Sequence, residues 1–430
     1  MSLTTRTEKK LTIASALASL FQHGMPFRFT AYDGSEAGDP ESEVHLHLAS
    51  PRGLSYILTA PGDLGMARAY VMGDLVVDGV HPGDPYDLML LAMSKFTLRR
   101  PTPTEALALL RTVGINNLVP PAPPPQETLP RWRRIVEGAR HSKTRDAEAI
   151  HHHYDVSNRF YELVLGPSMT YTCACYPSAD ATLEEAQEFK YDLVARKLDL
   201  QPGQRLLDVG CGWGGMVRHA ARNYGVKALG VTLSVAQASW AKEAIDREGL
   251  ANLAEVRHSD YRDVLEGDFD AISSIGLTEH IGVRQYPHYF GFLKDKLRPQ
   301  GRLLNHCITR PHNQRTETGA FIDRYVFPDG ELTGVGKIVT EAQDAGLEVM
   351  HVENFRLHYA KTCAAWGQNL VDNWDECVAE VGEGTARVWG TYMAGSRMGF
   401  ELNQIELHHV LAVKTGEDGA DGFPLRSTWA

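Results

Sequence analysis

The turn Gly210-Cys211-Gly212-Trp213-Gly214-Gly215 follows the apolar run Arg205-Leu206-Leu207-Asp208-Val209 and precedes a helical pattern from Met216 to Asn223. A strand ending in such a turn and opening a helix presents backbone N–H groups at a helix N-terminus. Glycine there leaves bare backbone for a ligand to lie against. Two ligand classes use this arrangement, dinucleotides and S-adenosylmethionine. Glycines at 210, 212 and 215 satisfy Gly-x-Gly-x-x-Gly, a weak pattern when it stands alone. A dinucleotide site also wants an Asp or Glu ending the second strand, to take the ribose. Here that strand ends Gly230-Val231-Thr232-Leu233-Ser234. The strand before the turn and the helix after it count against glycines chosen only for packing.

Other residues with reactive side chains divide by position. Glu279 follows directly on the strand pattern Phe269 to Ile275, and His306 lies near the end of the strand pattern Arg302 to Ile308. Both then stand at C-terminal ends of strands, where doubly wound sheets hold ligands. A single buried His is otherwise most often a hydrogen-bonded core residue, and Tyr359 by itself says nothing. Cys173 has the type of a nucleophile. His151-His152-His153 cannot easily converge on one ion, and none of the six cysteines forms a Cys-x-x-Cys pair, so no metal site is expected.

The elements that must position these groups form a recognisable series. Strands are predicted at Arg205–Val209, Val226–Leu233, Ala254–Val256, Phe269–Ile275, Arg302–Ile308, Leu347–Glu353 and Glu406–Lys414. Helices are predicted at Met216–Asn223, Val235–Glu248 and Tyr286–Leu297. Strands alternating with helices of this length argue a doubly wound, parallel sheet. Upstream, the alternation Glu43–Leu48 reads as a strand, with helical patterns at Leu11–Phe21 and Ser94–Leu110, a small α+β module. Between the two lies Val119-Pro120-Pro121-Ala122-Pro123-Pro124-Pro125-Gln126, which no helix or central strand can contain. The chain therefore divides into residues 1–118, a Pro-rich and basic linker 119–145, and a C-terminal domain 146–430.

Composition sets the outer bounds. The chain has 430 residues, 43% hydrophobic and 23% charged, with 43 Lys+Arg against 54 Asp+Glu and a net charge of −11. That is an ordinary globular composition, and an acidic total argues against a nucleic-acid binder. Met1-Ser2-Leu3-Thr4-Thr5-Arg6 carries no signal-peptide pattern, and no apolar run approaches the roughly 20 residues of a membrane span. A cytoplasmic protein with reduced thiols is expected.

Asp208-Val-Gly-Cys-Gly-Trp-Gly-Gly215 and Gly230-Val-Thr-Leu-Ser234 with Gln237 resemble motifs of the cyclopropane fatty acid synthase family of S-adenosylmethionine-dependent methyltransferases. So do His153-Tyr-Asp-Val-Ser-Asn158, Met169-Thr-Tyr-Thr-Cys-Ala174, Ser259-Asp-Tyr-Arg-Asp263, Glu279-His-Ile-Gly282, Tyr325-Val-Phe-Pro328 and His358-Tyr359, in order over roughly residues 150–415. Gly65-Met-Ala-Arg-Ala-Tyr-Val-Met-Gly73 is similar to the extra domain of the longer, bacterial-type synthases. The resemblance implies an α/β fold, a Rossmann-like class I methyltransferase with a seven-stranded doubly wound sheet, plus a small α+β N-terminal domain with a lipid-binding or accessory role. It implies methyl transfer from S-adenosylmethionine to the double bond of an unsaturated phospholipid acyl chain, followed by proton loss and cyclopropane closure. A bound bicarbonate is the implied base. The resemblance cradles that ion with Glu279, His306, Tyr359 and the backbone N–H groups of Cys173 and Ile308. It surrounds S-adenosylmethionine with Tyr171, Thr172, Asp208, Gly210, Gly212, Thr232, Gln237, Tyr261 and Arg262. Cys173 then has a backbone role and no covalent step.

Two positions depart from the family pattern. Thr278 stands where an aromatic commonly precedes the Glu, and Cys175 where Tyr is usual. Thr278 either shapes the fate of the carbocation or merely packs against the sheet. The alternatives to cyclopropane are a methylene product, reduced to a methyl branch by a partner reductase, methylation of a small molecule, or a non-catalytic lipid-binding protein. The segment Arg131 to Arg145 holds six Lys/Arg against one acid, Glu137, with Trp132 beside them. It is expected to bring the protein to the inner face of the membrane, unless it only docks domains. A homodimer is possible.

Overall fold

In a computed structural model, the structure describes residues 11–97, 99–127, 157–314, 319–327, 330–427 and 429. The basic segment 131–145, the motif start at His153 and Pro328 lie outside them. The chain divides into two compact units, one made of Met1–Thr128 with Gly382–Gly395, the other of Leu129–Val381 with Ser396–Ala430. The N-terminal unit therefore recruits a short C-terminal segment. Within it, Arg387 donates to the Tyr70 carbonyl at 2.8 Å.

The N-terminal unit carries a four-stranded sheet, β1 (Arg28–Ala31), β2 (Glu36–Gly38), β3 (His45–Leu48) and β4 (Leu75–Asp78), in the order β2-β1-β3-β4. Phe27, Phe29, Leu46, Leu48, Leu54 and Tyr56 fill its core. The helix expected over Ser94–Leu110 is instead two, Tyr86–Lys95 and Pro103–Val113. Pro101 and Pro103 cannot continue a helix, whereas Thr102 and Glu105 form a capping box that starts a new one.

The larger unit is built on β5 (Arg205–Val209), β6 (Lys227–Thr232), β7 (Ala254–His258), β8 (Phe269–Ile275), β9 (Leu297–Thr309), β10 (Glu348–Asn354) and β11 (Glu406–Val413). All seven predicted strands are present, in the order β10-β11-β9-β8-β5-β6-β7. β5 to β9 are parallel, and β11 enters antiparallel between β9 and β10. The sequence could not show that reversal, because β11 is buried on both faces from Leu407 to Val413 and its residues do not alternate polar with apolar. Helices Gly215–Tyr224, Val235–Arg247 and Tyr286–Lys296 link the parallel strands. Residues from both the sheet and the helices, among them Leu207, Ile272, Leu303, Phe290 and Leu293, share one core. Strand order reverses at β5, which lies between β8 and β6. In such sheets the crevice at the reversal, outside the strand C-termini, is where a ligand lies.

Candidate active site

A cleft with about 1050 Å³ of empty space opens at that point. It is lined by the loop after β5, the ends of β6 and β8, and the segment Met169–Thr172. The nine residues that the family resemblance groups around a cofactor, Tyr171, Thr172, Asp208, Gly210, Gly212, Thr232, Gln237, Tyr261 and Arg262, all line it. The glycines of the turn have separable roles. Gly212 has φ +55°, and a Cβ built there meets no protein atom within 4 Å, so the space over it belongs to the cleft. A Cβ on Gly215 would lie 2.0 Å from the Tyr191 hydroxyl, so this glycine lets helix Gly215–Tyr224 close onto helix Leu183–Leu198.

Polar groups of the cleft are held by short hydrogen bonds. Ser273 donates to Asp208 at 2.6 Å, and burial pushes the Asp208 carboxyl up to about 7 against that bond. The Thr232 hydroxyl donates to the Gln237 side-chain carbonyl at 2.7 Å. Arg262 donates to Asp260 through Nε at 2.8 Å and Nη2 at 2.6 Å. Tyr171 packs between the rings of Tyr161 and Trp366. Tyr261 meets Tyr289 and Phe292 edge-on. The sequence reading missed Lys190, Trp213 and Asp260, which also line the cleft. Lys190 donates to Thr172 Oγ1 at 3.0 Å, and burial brings its ammonium down to about 7. Asp260 and Trp213 lie inside the family-like motifs; Lys190 has no motif around it and only a place on the helix Leu183–Leu198.

Glu279 sits on the short helix Thr278–Ile281, between the cleft-lining residues Leu277 and His280. Its Oε1 accepts from the Ile308 N–H at 2.6 Å, while Oε2 is buried with no partner. Burial pushes this carboxyl up to about 7, and the Ile308 N–H opposes the rise. His306 shares a face of β9 with Ile308 two residues on. Its Nδ1 meets His409 Nε2 at 2.9 Å, and its buried Nε2 has no partner. Burial holds His306 well below the ordinary imidazole range, so the ring is neutral. Cys173 and Tyr359 meet at Phe355, whose ring packs on His409, the partner of His306. The Cys173 thiol lies 3.9 Å from the Phe355 carbonyl, which also accepts the Tyr359 N–H at 3.1 Å. Burial drives the Cys173 thiol well above its ordinary value, against any role as a thiolate nucleophile. Thr278 is buried and its hydroxyl donates to Asn305 at 2.6 Å, turned into the sheet.

The glycine turn, the sheet order and the cleft over the strand ends define the class: this is an S-adenosylmethionine-dependent methyltransferase with the class I fold. The family model for mycolic acid cyclopropane synthetase matches residues 141–410, and the chain belongs to that family. It is 60% identical over 425 residues to a probable fatty acid methyltransferase of Mycobacterium tuberculosis, covering 98% of this chain and 99% of that one. It is 34% identical over 269 residues to the cyclopropane-fatty-acyl-phospholipid synthase of Escherichia coli K12, covering 62% of this chain and 68% of that one. The mycolic acid cyclopropane synthase CmaA1, solved with SAH and CTAB, superposes with a TM-score of 0.59 at 32% identity. It covers 62% of this chain and 98% of that one.

Proposed function

We propose that this enzyme methylates the double bond of an unsaturated acyl chain in a phospholipid and closes the product to a cyclopropane. S-adenosylmethionine would lie over Gly210 and Gly212, among the nine cleft residues, and supply an electrophilic methyl group on a sulfonium centre. The open space over Gly212 supports that fit. Bicarbonate, held by Glu279, His306, Tyr359 and the Cys173 N–H, would supply a base there, while the Ile308 N–H, expected on the ion, instead donates to Glu279 Oε1.

One observation carries the reading: two buried polar atoms, Glu279 Oε2 and His306 Nε2, lack partners just outside the cleft, Glu279 next to its lining residue His280 and His306 paired across strands with its lining residue Ile275. Buried polar atoms are rarely left alone, and a pair at the strand ends marks a place for a ligand. One is a carboxylate oxygen that can accept a hydroxyl proton; the other is a nitrogen of a neutral imidazole that can donate. Bicarbonate has both complements, a hydroxyl and anionic oxygens. In this reading Glu279 orients the ion through its hydroxyl, and Ile308 keeps Glu279 in place. The apolar surroundings protect the cationic acyl chain from capture by water. An ion held there would be placed to take the proton that the methyl carbon gives up as it forms its second bond to the chain.

The N-terminal unit would be the accessory, lipid-facing part, with the segment 131–145 drawing the protein to the inner face of the membrane. Among the described residues no helix is long and apolar enough to cross a membrane. A second reading, a methylene or methyl-branched product with a partner reductase, rests on the name of the 60% identical relative, a probable fatty acid methyltransferase; Thr278, bonded to Asn305, packs against the sheet and does not add to it. Removing bicarbonate from the assay tests the base. Turnover that falls and returns when the ion is restored supports it; turnover indifferent to thorough removal rejects it.

A further inference from the structure

β9, β11 and β10 lie side by side, and their pairing places His306, His409 and Glu353 in one cross-strand row. Lys197, on helix Leu183–Leu198, reaches this row from above the sheet with its side chain fully buried. The polar atoms form an unbroken series. Glu353 Oε2 lies 2.5 Å from Lys197 Nζ, Nζ lies 3.0 Å from His409 Nδ1, and His409 Nε2 lies 2.9 Å from His306 Nδ1. Phe355 covers His409, ring centroids 4.4 Å apart, so the series is dry from Lys197 inward and meets solvent only at Glu353.

Donor inventory fixes the direction of every bond. Burial lowers the Lys197 ammonium from its ordinary value, but the Glu353 carboxylate 2.5 Å away opposes the fall and holds the charge, so Lys197 donates and has no acceptor. His409 Nδ1 must therefore accept, which puts the proton of that neutral ring on Nε2. His409 Nε2 then donates to His306 Nδ1, and the His306 proton must sit on Nε2, the nitrogen with no partner. Both rings are held neutral, chiefly by burial and further by the nearby lysines, so each carries one N–H only. We propose that Lys197, acting through His409, is a positioning residue that locks His306 in the tautomer whose Nε2–H donates to the anion at the reaction centre. This rests on the bicarbonate reading above and adds what sets its imidazole donor. Without Lys197 the ring pair can reverse, turning His306 Nε2 into an acceptor that faces the anion with a lone pair.

Nitrogen-15 NMR of the histidine-labelled full chain, with His306 assigned by its loss in His306→Gln, reads the tautomer directly. The wild type should show His306 protonated at Nε2 and bare at Nδ1. Lys197→Met and His409→Phe should lose that bias and raise the bicarbonate concentration for half-maximal turnover by about tenfold or more. Cofactor affinity by calorimetry should stay near wild type. His409→Gln, which keeps an acceptor for Lys197 and a donor for His306, should recover most of what His409→Phe loses. His306 protonated at Nδ1 in the wild type overturns the proposal without any variant. So do folded Lys197→Met and His409→Phe proteins with the wild-type tautomer and bicarbonate dependence. Wild-type turnover that ignores bicarbonate would remove the anion, and the NMR result would then judge the lock by itself.

Discussion

Glu279 and Gly212 are the residues on which single substitutions speak most clearly. The Glu279 carboxyl is raised to about 7 by burial, so its charged form is costly to the fold. The unfolded chain ionises first as pH rises, so stability is full in acid. It is lost from the ordinary carboxylate range up to about 7, a loss of about 3 kcal/mol at most. Glu279→Gln should abolish that loss: without bicarbonate, urea unfolding at pH 8 should find it more stable than wild type, with the gap closing toward pH 5. The same variant should lose turnover by orders of magnitude while still binding cofactor. A variant no more stable than wild type at pH 8 would mean the carboxyl is not buried as a charge. Wild-type activity should rise through pH 7 as Glu279 ionises, in a limb the variant lacks. Gly212→Ala tests the cofactor cleft. Its Cβ strikes no protein atom, so the fold should bear only about 1–2 kcal/mol of left-handed strain while cofactor affinity falls sharply. Unchanged affinity by calorimetry would place the cofactor elsewhere.

At the scale of elements, the turn after β5 joins chemistry to packing. Gly215→Ala should push Tyr191, which hydrogen-bonds Thr170 at 2.8 Å, and so disturb the cleft segment Met169–Thr172. Overpacking of this kind costs about 1–3 kcal/mol. Thermal unfolding should show it, with cofactor binding weakened in step, unlike Gly212→Ala; an undisturbed melting temperature would refute the close approach. The same elements show what the sequence could reveal. β5, β6 and β8 were readable because short apolar runs bounded by glycines alternate with helical patterns. The reversal of β11 and the row His306–His409–Glu353 were not, since cross-strand register is a tertiary fact. The two-helix break at Pro101 and Pro103 was readable and misjudged. The cofactor cleft was legible only because its motifs lie at strand ends, whereas Lys190 and Lys197 project from a helix whose pattern gives no sign of buried ammonium groups.

For the whole molecule, a net charge of −11 opposes an anionic membrane while the segment 131–145 favours it. A diacyl lipid leaves a bilayer at high cost, so the proposed phospholipid substrate would require the enzyme to work at a bilayer surface. Each cation near that surface contributes about 1 kcal/mol, screened by salt. Reversing Arg131, Arg133 and Arg134 to Glu should lower sedimentation with anionic vesicles and abolish its salt dependence; binding that ignores both would leave the segment as a linker. The most direct test of the account is mass spectrometry of acyl chains after purified protein meets monounsaturated phospholipid vesicles, bicarbonate and S-adenosylmethionine with a trideuterated methyl. The account predicts chains heavier by CD₂, the third deuterium lost as a deuteron, that resist mild hydrogenation as a cyclopropane does. Unlabelled chains in the presence of bound cofactor, or labelled chains that take up hydrogen, would contradict it.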